Sequence, residues 1–147
     1  MTVEYERTVE IAAPAEAVWP VMSDIERWPA WTASVSEVEL LDDGGLRPGQ
    51  RARLRQPRLP AAIWTVDEVE PGRTFGWRSH AAGLHSRGEH TVEPTGTQTS
   101  RVVLRLSHSG ALAGLARIVY GGLIRRYVGF EADGLKREAE SRWTTSS

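Results

Sequence analysis

The sequence predicts an α+β fold: a seven-stranded antiparallel sheet wrapped around a long C-terminal helix, with two short helices after the first strand. Three observations predict it. Seven strand-like segments are joined by connections too short for crossover helices. One helical pattern, from Ala111 to about Trp143, is long enough to cover a sheet. Two short helical segments stand between the first and second strands. A sheet with one wet face must bury the other. The sheet should therefore wrap the last helix and leave a cleft between them, with the short helices as a plug at one end.

The first strand is "VEYERTVEI", where Val3, Tyr5, Arg7, Val9 and Ile11 share a face and the glutamates share the other. In "AAPAEAVWPVMSD", Pro14 suits a first helical turn, and Ala17, Val18, Val21 and Met22 form a stripe. Asp24 is read as the N-cap of "IERW", which Pro29 stops. Six strands follow: "SVSEVELL", "RARLRQ", "AAIWTVDEV", "TFGWRS", "LHSRGEHTV" and "TSRVVLRLSH". The turns between them include "DDGGLRPGQ", "EPGR", "HAAG" and "EPTGTQ". In the last helix, Leu112, Leu115, Ala116, Val119, Leu123 and Phe130 cluster on one face, with Tyr120 and Tyr127 at its flank. Gly114, Gly121, Gly122 and Gly129 fall mostly off that face, and predict a helix that bends or is locally soft.

At 147 residues the chain is long enough to bury about 70% of its unfolded surface as one domain, residues 1–143, with 144–147 ("TTSS") a disordered tail. A formal charge of −1 gives no pull toward nucleic acid. The absence of cysteine removes thiol chemistry and fits a reducing, cytoplasmic setting. No apolar run is long enough to span a membrane, and the N-terminus carries no signal-peptide pattern. Oligomeric state is not legible.

Two of the six tryptophans lie in "DIERWPAW". Trp28 and Trp31 stand where the plug would sit. Each ring buries about 150–250 Å². They either fix the plug to the sheet edge or place one ring at the cavity mouth.

The stretches "VEIAAPAEAVWPVMSDIERWPAWTASVSEVELL", "FGWR", "GLHSRGEHTVEPTGTQTSRVVLRLSHSG" and "GLKREAE" resemble the polyketide cyclase/dehydrase and lipid-transport branch of the START-like (SRPBCC) superfamily. The resemblance covers nearly the whole chain. It implies the helix-grip fold and a hydrophobic pocket for polyketides, lipids or similar small molecules. Some members are aromatases or cyclases and others are carriers or sensors, so the resemblance leaves the activity open.

Candidate site residues come from inward strand positions. Gln56 shares a phase with Ala52 and Leu54, whereas Arg51, Arg53 and Arg55 form a solvent ladder. Trp64, Phe75 and Trp77 supply aromatic wall or core. Ser86, Gly88, His90 and Val92 form another inward set, as do Val102, Leu104, Leu106 and His108. A bulge would flip any of these assignments. His90 is the first candidate for proton transfer, or else a structurally bonded histidine. Arg7 would hold an anionic group, form a buried pair or sit at the rim. Trp28, Trp64, Phe75, Trp77, Tyr120, Leu123, Tyr127 and Phe130 are expected to bind the ligand. His80, His85 and His90 recur every five residues, but alternating faces argue against a joint metal site. No nucleotide, metal or nucleophile-elbow motif is present, so no cofactor is expected. The expectation is a binder of a small hydrophobic molecule; the alternative is a cofactor-independent cyclase, dehydratase or aromatase using acid–base and conformational control.

Overall fold

The computed structural model describes residues 2–146. Strand β1 (Thr2–Ile11) leads into helix α1 (Ala15–Ser23) and a 3₁₀ turn (Ile25–Ala30). Strands β2 (Glu37–Leu40), β3 (Arg51–Arg55), β4 (Ala62–Glu70), β5 (Thr74–Ala81), β6 (Leu84–Pro94) and β7 (Ser100–Ser109) follow, then helix α2 (Ala113–Ser146). All neighbours are antiparallel, in the order β1-β7-β6-β5-β4-β3-β2. This is the predicted helix-grip arrangement. Residues 144–146, expected to be a disordered tail, continue α2; Ser147 lies outside the described residues.

The inward phases hold because the ladders run in register over β5, β6 and β7. Strand β4 carries a bulge between Val66 and Glu68. Without it the period-two phase of Trp64 and Val66 would send Glu68 inward. With it, Val69 pairs with the buried Phe75, and Glu68 stays exposed. Asp67 then meets Arg87 at 3.1 Å across Gly76, where a Cβ would stand 2.5 Å from the guanidinium. On the edge, Arg51, Arg53 and Arg55 form the expected ladder and pair with Asp42, Glu39 and Glu37.

Two local expectations change. Pro29 lies inside the 3₁₀ turn, which ends one residue later. Asp24 makes no side-chain cap and instead pairs with Arg27 at 3.4 Å.

The face of α2 is the larger correction. Leu112, Leu115, Val119 and Phe130 are exposed. The buried side carries Ala113, Ile124, Tyr127, Val128, Ala132, Leu135 and Ala139. Its small residues permit close approach to the β1 side of the sheet. A Cβ at Gly121 would meet Tyr5 Oη at 3.3 Å, and one at Gly129 would meet Arg7 Nη1 at 3.1 Å. A helix packed this tightly need not put its largest apolar residues in the contact. The C-terminal half of α2 is also pinned by polar bonds. The Ala12 N–H donates to Glu140 at 2.7 Å, and Lys136 Nζ donates to the Glu10 carbonyl at 2.9 Å.

Candidate functional site

Because α2 lies chiefly along β1, the inner faces of β4 to β6 retain free space beside it. A cavity of about 280 Å³ occupies that space. Ligand pockets run to about 300–1,000 Å³, so it suits a small guest. Trp28, Trp64 and Trp77 wall it from the plug and sheet, and Tyr120, Ile124 and Tyr127 wall it from α2. Gln56, Leu59, Pro60 and Ala61 bring the β3–β4 connection over it. The Tyr127 hydroxyl donates to the Pro57 carbonyl and ties that connection to α2. Pro60, Ala61 and Ala81 both line the cavity and reach solvent, which places its mouth at the β3–β4 and β5–β6 connections.

Trp28 stands at the opposite, closed end. It is 2% exposed, and its indole N–H donates to the Met22 carbonyl at 3.1 Å. Its ring lies 5.4 Å from Trp77 and 5.8 Å from Trp31. Trp28 therefore fixes the plug and also lines the cavity floor. Neither tryptophan forms the mouth: Trp31 is buried against Gly134 of α2.

His90 sits at that floor. Its imidazole stacks on Phe75 at 4.3 Å and 8°, and Trp28 and Trp77 approach its other sides at 5.3 and 5.7 Å. His90 Nε2 is 3.2 Å from Glu131 Oε1 of α2. The two side chains are 6% and 17% exposed, and both residues line the cavity. An ionised carboxylate only accepts, so Nε2 then carries the proton and Nδ1 holds the lone pair. That Nδ1 is buried and has no hydrogen-bond partner among the described residues.

Of the expected site residues, the cavity brings together His90, Trp28, Trp64, Trp77, Tyr120 and Tyr127. It leaves out Arg7, Phe75, Leu123 and Phe130. Arg7 does lie on the inward phase, but at the β1 edge α2 turns it aside. It pairs with Asp133 at 3.6 Å, with the two side chains 49% and 53% exposed. The pair is half-exposed and stands apart from the cavity lining. Phe75 is fully buried behind the lining and supports it through its stack on His90 and its ring contacts with Trp28 and Trp77. Phe130 is 40% exposed on the outer side of α2. His80 and His85 pair with each other across the β5–β6 hairpin at 2.8 Å, away from His90.

Glu131 is the functional candidate that sequence reasoning does not single out. A signal for it exists: Tyr120, Ile124, Tyr127 and Glu131 follow helical steps of four, three and four, a stripe centred on the tyrosines. Ser86 and His108 take the inward phase expected of them, and they too line the cavity.

Residues 2–140 match the family described as "Polyketide cyclase / dehydrase and lipid transport". The chain belongs to that family. A Streptomyces halstedii protein named "Putative polyketide cyclase" is 31% identical over 74 residues, which is 50% of this chain. The match spans little more than half of that relative, 57% of its length. Among solved structures, the Zhui aromatase/cyclase from Streptomyces sp. R1128 superposes with a TM-score of 0.81 at 24% identity, over 97% of this chain and 96% of that one. A START superfamily protein from Mycobacterium smegmatis superposes at 0.70 with 20% identity, over 98% and 99%. At these identities the superpositions establish the fold. As a polyketide cyclase/dehydrase and lipid-transport family member, the chain has no helix among its described residues long and apolar enough to cross a membrane.

Proposed function

We propose that the cavity binds a small hydrophobic ring-forming or ring-bearing molecule of polyketide type, and that His90 and Glu131 move protons during its cyclisation or dehydration. The buried His90–Glu131 pair carries this reading. A purely apolar container needs no ionisable pair at its floor, where burial of charge is costly. Likeness to proteins named as cyclases supports the same reading.

The chemistry balances without a cofactor. A carbon flanked by carbonyls loses a proton to the imidazole. The enolate carbon attacks a second carbonyl of the same chain, forming the ring bond. The resulting alkoxide takes a proton back and becomes a hydroxyl. The imidazole, neutral again, then takes a second proton from the carbon beside the new carbinol and delivers it to the departing hydroxyl, which leaves as water and gives the unsaturated ring. Glu131 holds the imidazole in one tautomer and balances its positive charge. The aromatic walls fold the chain so that the reacting carbons meet.

Turnover of a poly-β-keto thioester mimic should fall about 10²–10⁴-fold in His90→Gln. Glu131→Gln should lower the rate less and displace its pH profile. Saturable binding without any turnover in the native protein would overturn the catalytic part and leave a carrier.

A further inference from the structure

The cavity holds a second polar station away from His90. Ser86 precedes His90 by four residues on β6, so the two side chains leave the same face about 13 Å apart along the strand. Ser86 stands opposite Ser79 of β5 and His108 of β7 in the ladder, and all three residues line the cavity. Ser86 Oγ and His108 Nδ1 are 2.8 Å apart. His108 is 8% exposed, and no carboxylate among the described residues is bonded to it. Its Nε2 is buried without a partner among the described residues. Burial holds this imidazole below its ordinary pKa, so the pair is neutral near neutral pH.

Between the two stations the side chains on the inward phase are apolar, Trp77 and Leu106 on either side of Gly88. Gly88 keeps that belt clear: a Cβ there would stand 2.8 Å from Trp77 Nε1. A neutral Ser–His pair works in both directions. The hydroxyl donates to a ligand carbonyl while accepting from the imidazole N–H, or accepts from a ligand hydroxyl while donating to the bare ring nitrogen. Without a carboxylate on His108 the pair lacks the group that orients a nucleophile's base, so its geometry is that of recognition.

We propose that Ser86 and His108, with Ser79 beside them, form a recognition subsite for a hydroxyl or carbonyl oxygen at the end of the ligand remote from His90. The cavity then selects elongated ring molecules oxygenated at both ends over singly oxygenated ones. This rests on the reading of the cavity as a ring-binding site.

The test compares two three-ring probes, 2-hydroxyanthracene and 2,6-dihydroxyanthracene, by titration calorimetry and tryptophan quenching. The native protein should bind the dihydroxy probe at least tenfold more tightly. Ser86→Ala, a near-isosteric change, should reduce that preference to twofold or less, and His108→Gln should weaken it as a second variant. A native preference below twofold overturns the subsite while leaving the cavity reading intact. So does an undiminished preference in a folded Ser86→Ala protein. Failure of both probes to bind the native protein overturns the cavity reading and the subsite with it.

Discussion

Gly134 of α2 lies directly against the carbonyl of Trp31. A Cβ on residue 134 would stand 2.1 Å from that oxygen and 3.2 Å from the indole ring. No ordinary contact is that short, and the nearest atom is backbone, so either the helix or the plug must shift. Gly134→Ala should destabilise the protein by about 1–3 kcal/mol, the range of an overpacked core. A Cβ at Gly122, on the same helix, would meet nothing within 4 Å, and Gly122→Ala should stabilise by about 0.5–1 kcal/mol. Urea unfolding of the two variants should therefore shift the midpoint in opposite directions.

Trp28 joins the plug to the sheet and forms the cavity floor. Trp28→Ala should cost about 3–5 kcal/mol, because a fully enclosed ring leaves a hole that its neighbours cannot fill. Trp28→Phe keeps the ring contacts and loses the bond to the Met22 carbonyl. It should cost less than the alanine change by at least about 1 kcal/mol. Equal losses by denaturant titration would show that the bond, and not the volume, holds the plug.

Tyr127 latches the β3–β4 connection through the Pro57 carbonyl. Tyr127→Phe should cost about 0.5–1.5 kcal/mol. Amide exchange at residues 58–63 should rise, and an apolar probe should leave the cavity several-fold faster. Unchanged exchange there would show that the connection is held by packing alone.

Glu140 gives a pH-dependent contribution. Burial by itself would raise its carboxyl, but the Ala12 N–H and Lys136 hold it below its ordinary value of 4.5. The folded value is the lower one, so the unfolded chain binds the proton first as pH falls. The stabilisation is present above pH 4.5 and is lost as pH falls through the folded value. The carboxylate stays partly in contact with solvent, its side chain 28% exposed, and screening keeps the contribution to about 1 kcal/mol. Glu140→Gln should be less stable than the native protein at pH 7, and the gap should close toward pH 3.

The strand phases are legible residue by residue. Period-two alternation puts Trp77, Ser86, His90, Leu106 and His108 on one face, and the cavity lines itself with them. That succeeds because a pleated strand allows only two faces and a regular ladder preserves the choice. The β4 bulge is not legible, since an extra residue at Asp67 is a matter of pairing and leaves no local mark. Glu131 is hidden for a different reason: the apolar maximum of α2 is not its buried side.

By itself, then, the sequence determined the order of elements, the antiparallel meander, the single long helix and the aromatic inner wall, all consequences of local periodicity and turn chemistry. Tertiary structure alone decided which side of α2 faces the sheet. Gly121, Gly129 and Gly134 let the helix approach closely, so small residues occupy the contact and Leu115 and Val119 are left outside. That rotation of the helix brings Glu131 to His90 and sets Arg7 beside Asp133, outside the cavity lining. The chemistry of the site follows from a packing distance between two elements, and such a distance is not a property of either element's own sequence.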